Sequence, residues 1–270
     1  MSQCGYNWLI AAAALALSGC AANAVRPPSP AMSLKVDALL ATSPPANERY
    51  YLLVFGSEAT PKLARYTHTW ASMVRATFVP GQARPMLEIA TISWMPASLE
   101  IRPANLSVEP GANLSLEMTL QEVLCHNERV AMWGPYEVWH GLNRRFMMQK
   151  AFLESGQIGY QCIDTVGEAA RVGNGSNCIH AITDMDPLFG RQEYPLRRSG
   201  QAASEHLVKQ LLERPVVIDA PQTHDWLMPQ IGLDRYSIDY RRYAGRVVPF
   251  SPEAIQQSLV APAVGLQRYR

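Results

Sequence analysis

Gly173-Asn174-Gly175-Ser176-Asn177-Cys178-Ile179-His180-Ala181 is the stretch on which the reading of this 270-residue chain turns. A loop of glycine and asparagine runs straight into an apolar turn, which predicts a helix opening at or near Cys178. The positive end of a helix dipole and its free N–H groups favour a thiolate over a thiol, so a cysteine placed there is expected to have a lowered pKa. The same N–H groups can hold the oxyanion of a tetrahedral intermediate. Cys178 is therefore the candidate nucleophile; the competing reading is a packed cysteine acting as a small apolar side chain.

A nucleophilic thiol needs a base. His180 is the near candidate, but residues two apart on a helix do not face each other, so it is expected to point away and orient the loop. His68, in Tyr66-Thr67-His68-Thr69-Trp70, opens a predicted strand and is the preferred base. His224, next to Asp225, is the second candidate. A third polar group that would orient the imidazole is sought on the strand after His68, where Glu88, Thr91 and Ser93 are the available side chains. Cys-x-His on one helix is poor chelating geometry, so no metal is expected at Cys178 and His180, and no cofactor is implied. Thr183-Asp184-Met185-Asp186-Pro187 lacks the ligands of a calcium loop and reads as a helix end.

Residues of about 50–190 resemble the circularly permuted papain-like thiol hydrolases and acyltransferases, the group that includes lecithin:retinol acyltransferase and bacterial cell-wall-peptidase-like proteins. Asn177-Cys178-Ile179-His180 matches their Asn-Cys-x-His segment, and His68 stands where they carry a histidine on an earlier strand. The resemblance implies an α+β fold, with an antiparallel sheet packed against helices. It also implies a Cys178 nucleophile, a His68 base, an acyl-enzyme intermediate, and amide or ester substrates such as cell-wall peptides or lipids. The chain departs from the pattern at Ala181, where an aromatic residue is usual, and in having no further histidine as the third group.

Leu17-Ser18-Gly19-Cys20 follows an apolar stretch from Trp8 and resembles the lipobox of a bacterial lipoprotein signal. It implies cleavage before Cys20 and lipidation of its thiol. The apolar run, about ten residues, suits a signal core and is too short to cross a bilayer, although no charge precedes Arg26. Residues 1–19 are thus expected to be a signal peptide. Residues 20–48, with five prolines, read as a tether, 49–245 as one domain and 246–270 as a tail. The expected location is the bacterial cell envelope, with the membrane as partner through the anchor.

With 24 basic and 23 acidic residues the chain has a net charge of +1, which offers no basic footprint for nucleic acid. Removal of Cys4 with the signal and lipidation of Cys20 leave Cys125, Cys162 and Cys178, an odd count in which a Cys125–Cys162 disulfide is one option. Cys125 ends a predicted helix, where the negative dipole end disfavours a thiolate, and is expected to be inert. Strands are expected at Tyr50–Phe55, Tyr66–Val79, Met86–Trp94, Arg129–Trp133, Ile158–Ile163 and Val216–Ile218. Helices are expected at Leu114–Leu124, Tyr136–Glu154, from Cys178, and at Ala202–Leu212. Two other readings compete with a thiol enzyme: an envelope protein that uses the same fold for binding or structure, and a periplasmic solute- or lipid-binding protein with an aromatic pocket.

Overall fold

Tyr50-Tyr51-Leu52-Leu53-Val54-Phe55 is buried on both faces, which is why it is apolar throughout rather than alternating. It forms the centre of strand β1 (Glu48–Glu58) in a computed structural model that describes residues 29–31, 33–186, 199–219 and 224–260. Cys4, Cys20 and the expected signal lie outside the described residues. In chain order the remaining elements are α1 (Val36–Leu40, ahead of β1), β2 (Thr67–Thr77), β3 (Met86–Ile92), β4 (Trp94–Pro96), β5 (Gly111–Asn113), α2 (Leu116–Cys125), β6 (Arg129–Val138), α3 (His140–Glu154), β7 (Gly159–Tyr160), α4 (Gly167–Val172), β8 (Gly175–Ser176), α5 (Cys178–Thr183), α6 (Gln201–Leu212), β9 (Val217–Asp219), α7 (Leu227–Gln230), β10 (Ile238–Arg241) and α8 (Pro252–Val260).

The fold is α+β. Its main sheet runs β10-β6-β1-β2-β3, with β9 also pairing β6. The sheet is mixed rather than purely antiparallel, because β10 lies parallel to β6 while β1, β2, β3 and β9 pair antiparallel. Alternate residues of the central strands feed two cores. Leu52, Val54, Ala71 and Met73 pack under Phe146, Ile182, Leu207 and Leu211 from the helices α3, α5 and α6. Leu53, Phe55, Trp70 and Val74 pack under Leu116, Leu120 and Val123 of α2, with Leu227 and Leu233 beside them. Helix α6 comes so close to β1 that a Cβ on Gly56 would meet Ser204 Oγ at 2.5 Å and Gln201 Cα at 2.7 Å, so only glycine fits there.

The predicted hairpin and the predicted α2, with Ser115 accepting from the Met118 N–H as its cap, are present. The chain differs from expectation elsewhere. Strand β6 continues through Gly134-Pro135 to Val138, and the helix begins at His140 instead of Tyr136. Tyr136 and Val138 bury in the core as strand residues, and the β1–β6 register shifts between Leu52 and Val54, where Pro135 has no N–H to give. Only Gly159-Tyr160 of the expected strand 158–163 pairs, and the expected loop 167–177 contains α4.

From Ser29 onward the expected tether is packed rather than free. Ala31 and Leu39 are fully buried, and the Ser29 hydroxyl donates to the Asp184 carbonyl at 2.6 Å. Arg145, paired at 2.5 Å with Asp186, donates to the Leu34 carbonyl, while His140 Nε2 meets the Leu39 carbonyl and Arg144 bonds Thr42. The expected tail is likewise folded as far as α8, with Ile255 fully buried. In both segments apolar side chains that composition hid among prolines and polar residues found a partner on the domain.

Candidate active site

Helix α4 ends at Gly173, whose φ of +75° is the left-handed conformation that closes a helix and turns the chain. The chain then lays Gly175-Ser176 beside Gly159-Tyr160 as a short parallel pair. Asn177 follows in extended conformation and caps α5: its Oδ1 accepts from the Ile179 N–H at 3.0 Å and the His180 N–H at 2.8 Å. Cys178 is therefore the first residue of a helix, as its sequence predicts.

The backbone amides of Thr69, Cys178 and Ile179 near the Cys178 sulfur favour the thiolate. They do not prevail. The residue keeps partial exposure, but its sulfur sits deep enough that desolvation dominates and pushes the thiol up to about 11, with the Asp164 charge adding to the rise. The expected lowering is thus reversed: a six-residue helix supplies a small dipole, and burial outweighs it.

His180 bonds both carboxylate oxygens of Asp164 through Nδ1 at 2.8 Å. Asp164 also accepts from the Asn177 backbone N–H at 3.3 Å and from Asn177 Nδ2 at 3.1 Å. All three side chains are buried. Asp164 thereby clamps the cap of α5 to the loop after β7, a role no local sequence signal announces.

His68 lies near the start of β2, the strand against which α5 packs. The pairing of β2 with β3 begins only at Ala71, so this end of β2 has a side that β3 does not cover. The His68 ring is buried, stacked on Trp70 at 5.4 Å, and its Nε2 lies 2.8 Å from Ser93 Oγ. Its Nδ1 has no hydrogen-bond partner, so the thiol does not bond it in this state. Desolvation lowers the ring to about 3, leaving a neutral imidazole.

Of the three candidates for a third group, Ser93 alone meets His68. It sits where the chain leaves β3 for β4, its N–H donating to Asn113 Oδ1 at 2.8 Å. Thr91 bonds Ser72 instead, at 2.9 Å. Glu88 is excluded: it lies opposite Arg75 on β3 and pairs with that guanidinium at 2.5 Å on an exposed face, five residues and roughly 16 Å of strand from Ser93. His224 is also remote. It stacks against Tyr51 at 4.7 Å and faces Asp219 and Glu137, whereas Ser57, six residues along β1 from Tyr51, is the residue opposite His68; six strand residues span roughly 20 Å.

Ser57 leads to a group that the sequence left unmarked. Its hydroxyl donates at 2.6 Å to Glu128, a buried carboxyl that desolvation pushes up to about 7. Glu128 follows Asn127 in what reads as a polar turn, and only the closing of α2 over the sheet buries it. Cys125, Cys162 and Cys178 are all free thiols; Cys125 is exposed and Cys162 half-buried, so the optional Cys125–Cys162 disulfide is absent. Among the described residues no group of three His, Cys, Asp or Glu side chains is arranged to hold a metal ion. A cavity of about 560 Å³ is bounded in part by Trp94, Glu109, Asn113, Glu154, Gly159 and Asn174, and neither Cys178 nor His68 lines it.

No described helix is long and apolar enough to cross a membrane. Compared with known proteins, the chain matches no family description, no curated protein and no solved structure.

Proposed function

We propose that this protein is a thiol hydrolase or acyltransferase of the permuted papain-like kind, held at a bacterial envelope membrane by a lipid on Cys20. Cys178 is its nucleophile, His68 its base and Ser93 the group that orients the imidazole. The observation that carries the reading is a helix-start thiol on an element packed against β2, the strand that holds a buried histidine with one bonded and one unpartnered ring nitrogen. In the reaction, His68 Nδ1 takes the thiol proton as sulfur attacks the carbonyl carbon of an amide or ester. The tetrahedral adduct collapses to a thioester, His68 returns the proton to the departing amine or alcohol, and water or a second acceptor then releases the acyl group.

A second reading, a non-catalytic binding module of the same fold, is favoured by one specific observation. The thiol at about 11 and the imidazole at about 3 are both neutral, and a thiolate–imidazolium pair is far from stable in this state. The two readings separate on incubation with an activated acyl ester followed by mass mapping. The enzyme reading expects an acyl adduct on the Cys178 peptide, lost in Cys178→Ala and slowed at least ~100-fold in His68→Ala, the usual contribution of a general base. A wild-type protein that melts normally, forms no adduct and still binds cell-wall peptide would establish the binding module.

A further inference from the structure

The loop after β7 and the start of α5 run side by side. Gly159 pairs with Gly175 and Tyr160 with Ser176 in parallel register, and the Gln161 N–H continues the ladder to the Ser176 carbonyl at 3.2 Å. Two residues beyond the paired positions stand Cys162 on one segment and Cys178 on the other. The segments do not diverge there, because Asp164 bonds the Asn177 backbone and side chain and His180 just past that level. At the paired positions the strands lie about 4.8 Å apart, and a disulfide spans Cα atoms about 4.4–6.8 Å apart, so segments held together just past that level can bring the two thiols within reach of a bridge. Both thiols are reduced and partly exposed.

We propose that Cys162 and Cys178 are a reversible redox pair, closed to a disulfide by exchange with an oxidising disulfide of the envelope and opened again by thiols. One thiolate of the pair attacks the external disulfide, forms a mixed disulfide and expels the first external thiolate. The other cysteine then attacks the protein sulfur and expels the second. Two protein thiols are oxidised, one external disulfide is reduced, and the two protons of the protein thiols pass to the two external thiols. The electrostatic effect of the Cys178 sulfur on Cys162, and the effect of both on the Tyr160 hydroxyl, accord with this proximity. Burial of both thiols makes the exchange slow near neutral pH and faster in alkali. The pair exists whether or not Cys178 is catalytic; that its closure switches off an enzyme rests on the thiol-hydrolase reading.

Arg171 separates the two cysteines, so trypsin places them on the different peptides 151–171 and 172–191. The folded full chain, incubated with glutathione disulfide at alkaline pH and digested without reductant, should yield these two peptides joined. Dithiothreitol should separate them and restore alkylation of Cys178. The Cys162→Ser protein should yield no joined peptide and should stop with glutathione on Cys178. Thiols that stay free under excess glutathione disulfide, or a wild-type protein that also stops at the mixed disulfide, would overturn the proposal. This readout is a peptide mass, so a protein that forms the bridge yet gives no acyl adduct keeps the redox pair and loses only the enzyme.

Discussion

Two buried ionisable side chains, near the starts of β2 and β6, pull the pH dependence of stability in opposite directions. Glu128 has its carboxyl at about 7 in the folded protein against an ordinary value of 4.5. Across that window the folded state holds a proton that the unfolded chain has released, so stability falls as pH rises from 4.5 to 7 and stays lowered above it. His68 is lowered from 6.5 to about 3, so the unfolded chain binds the extra proton and stability falls as pH drops from 6.5 towards 3. Between 4.5 and 6.5 the slopes oppose each other. Glu128→Gln should therefore leave stability near pH 5 little changed and raise it near pH 8, by at most about 3 kcal/mol, since one pKa unit is worth about 1.4 kcal/mol. Urea melts at the two pH values check this, and an equal change at both would refute the assignment of the burial cost to the ionised carboxyl. None of it was legible in the sequence, where Glu128 sits in a polar turn and His68 carries no sign of what covers it.

At the scale of the element, α5 depends on one side chain. Asn177 accepts from two N–H groups at the helix start and gives its own amide to Asp164. Loss of a cap costs typically ~1 kcal/mol, and here the Asp164 carboxylate would also lose a buried partner, so Asn177→Ala should lower stability by about 2–3 kcal/mol. The midpoint of a urea transition measures it; a loss below about 0.5 kcal/mol would mean that Asp164 and His180 hold the helix start without the cap. The Asn-Cys start of this helix was legible because the capping residue is adjacent in sequence to the position it serves. The clamp from Asp164 was not, because it lies thirteen residues earlier and depends on how β7 meets β8. The strand–helix error at Tyr136 has a like origin. Gly134-Pro135 marks a turn in most contexts, but here the sheet continues through it since Tyr136 and Val138 have a core to enter.

For the whole molecule, packing of the chain from Ser29 onward changes what an anchor at Cys20 would do. Nine residues separate the two positions, so even a fully extended connection holds the domain within about 30 Å of the lipid. The protein is then expected to fractionate with membranes and to carry a palmitate label that Cys20→Ser abolishes, with the substituted protein moving to the soluble fraction. Membrane association that survives Cys20→Ser unlabelled would reject the anchor. The sequence by itself determined those features whose causes are local or compositional. These are a central strand whose apolar run required two covered faces, a hairpin punctuated by Pro80-Gly81, the helix that starts at Cys178, and a charge balance without a nucleic-acid footprint. Only the tertiary structure decided that Ser93 rather than Glu88 or Thr91 meets His68, that the thiol is raised instead of lowered, and that Cys162 comes level with Cys178. Each of these depends on burial or on pairing between distant segments, and desolvation is a property of the surroundings that no single stretch of residues carries.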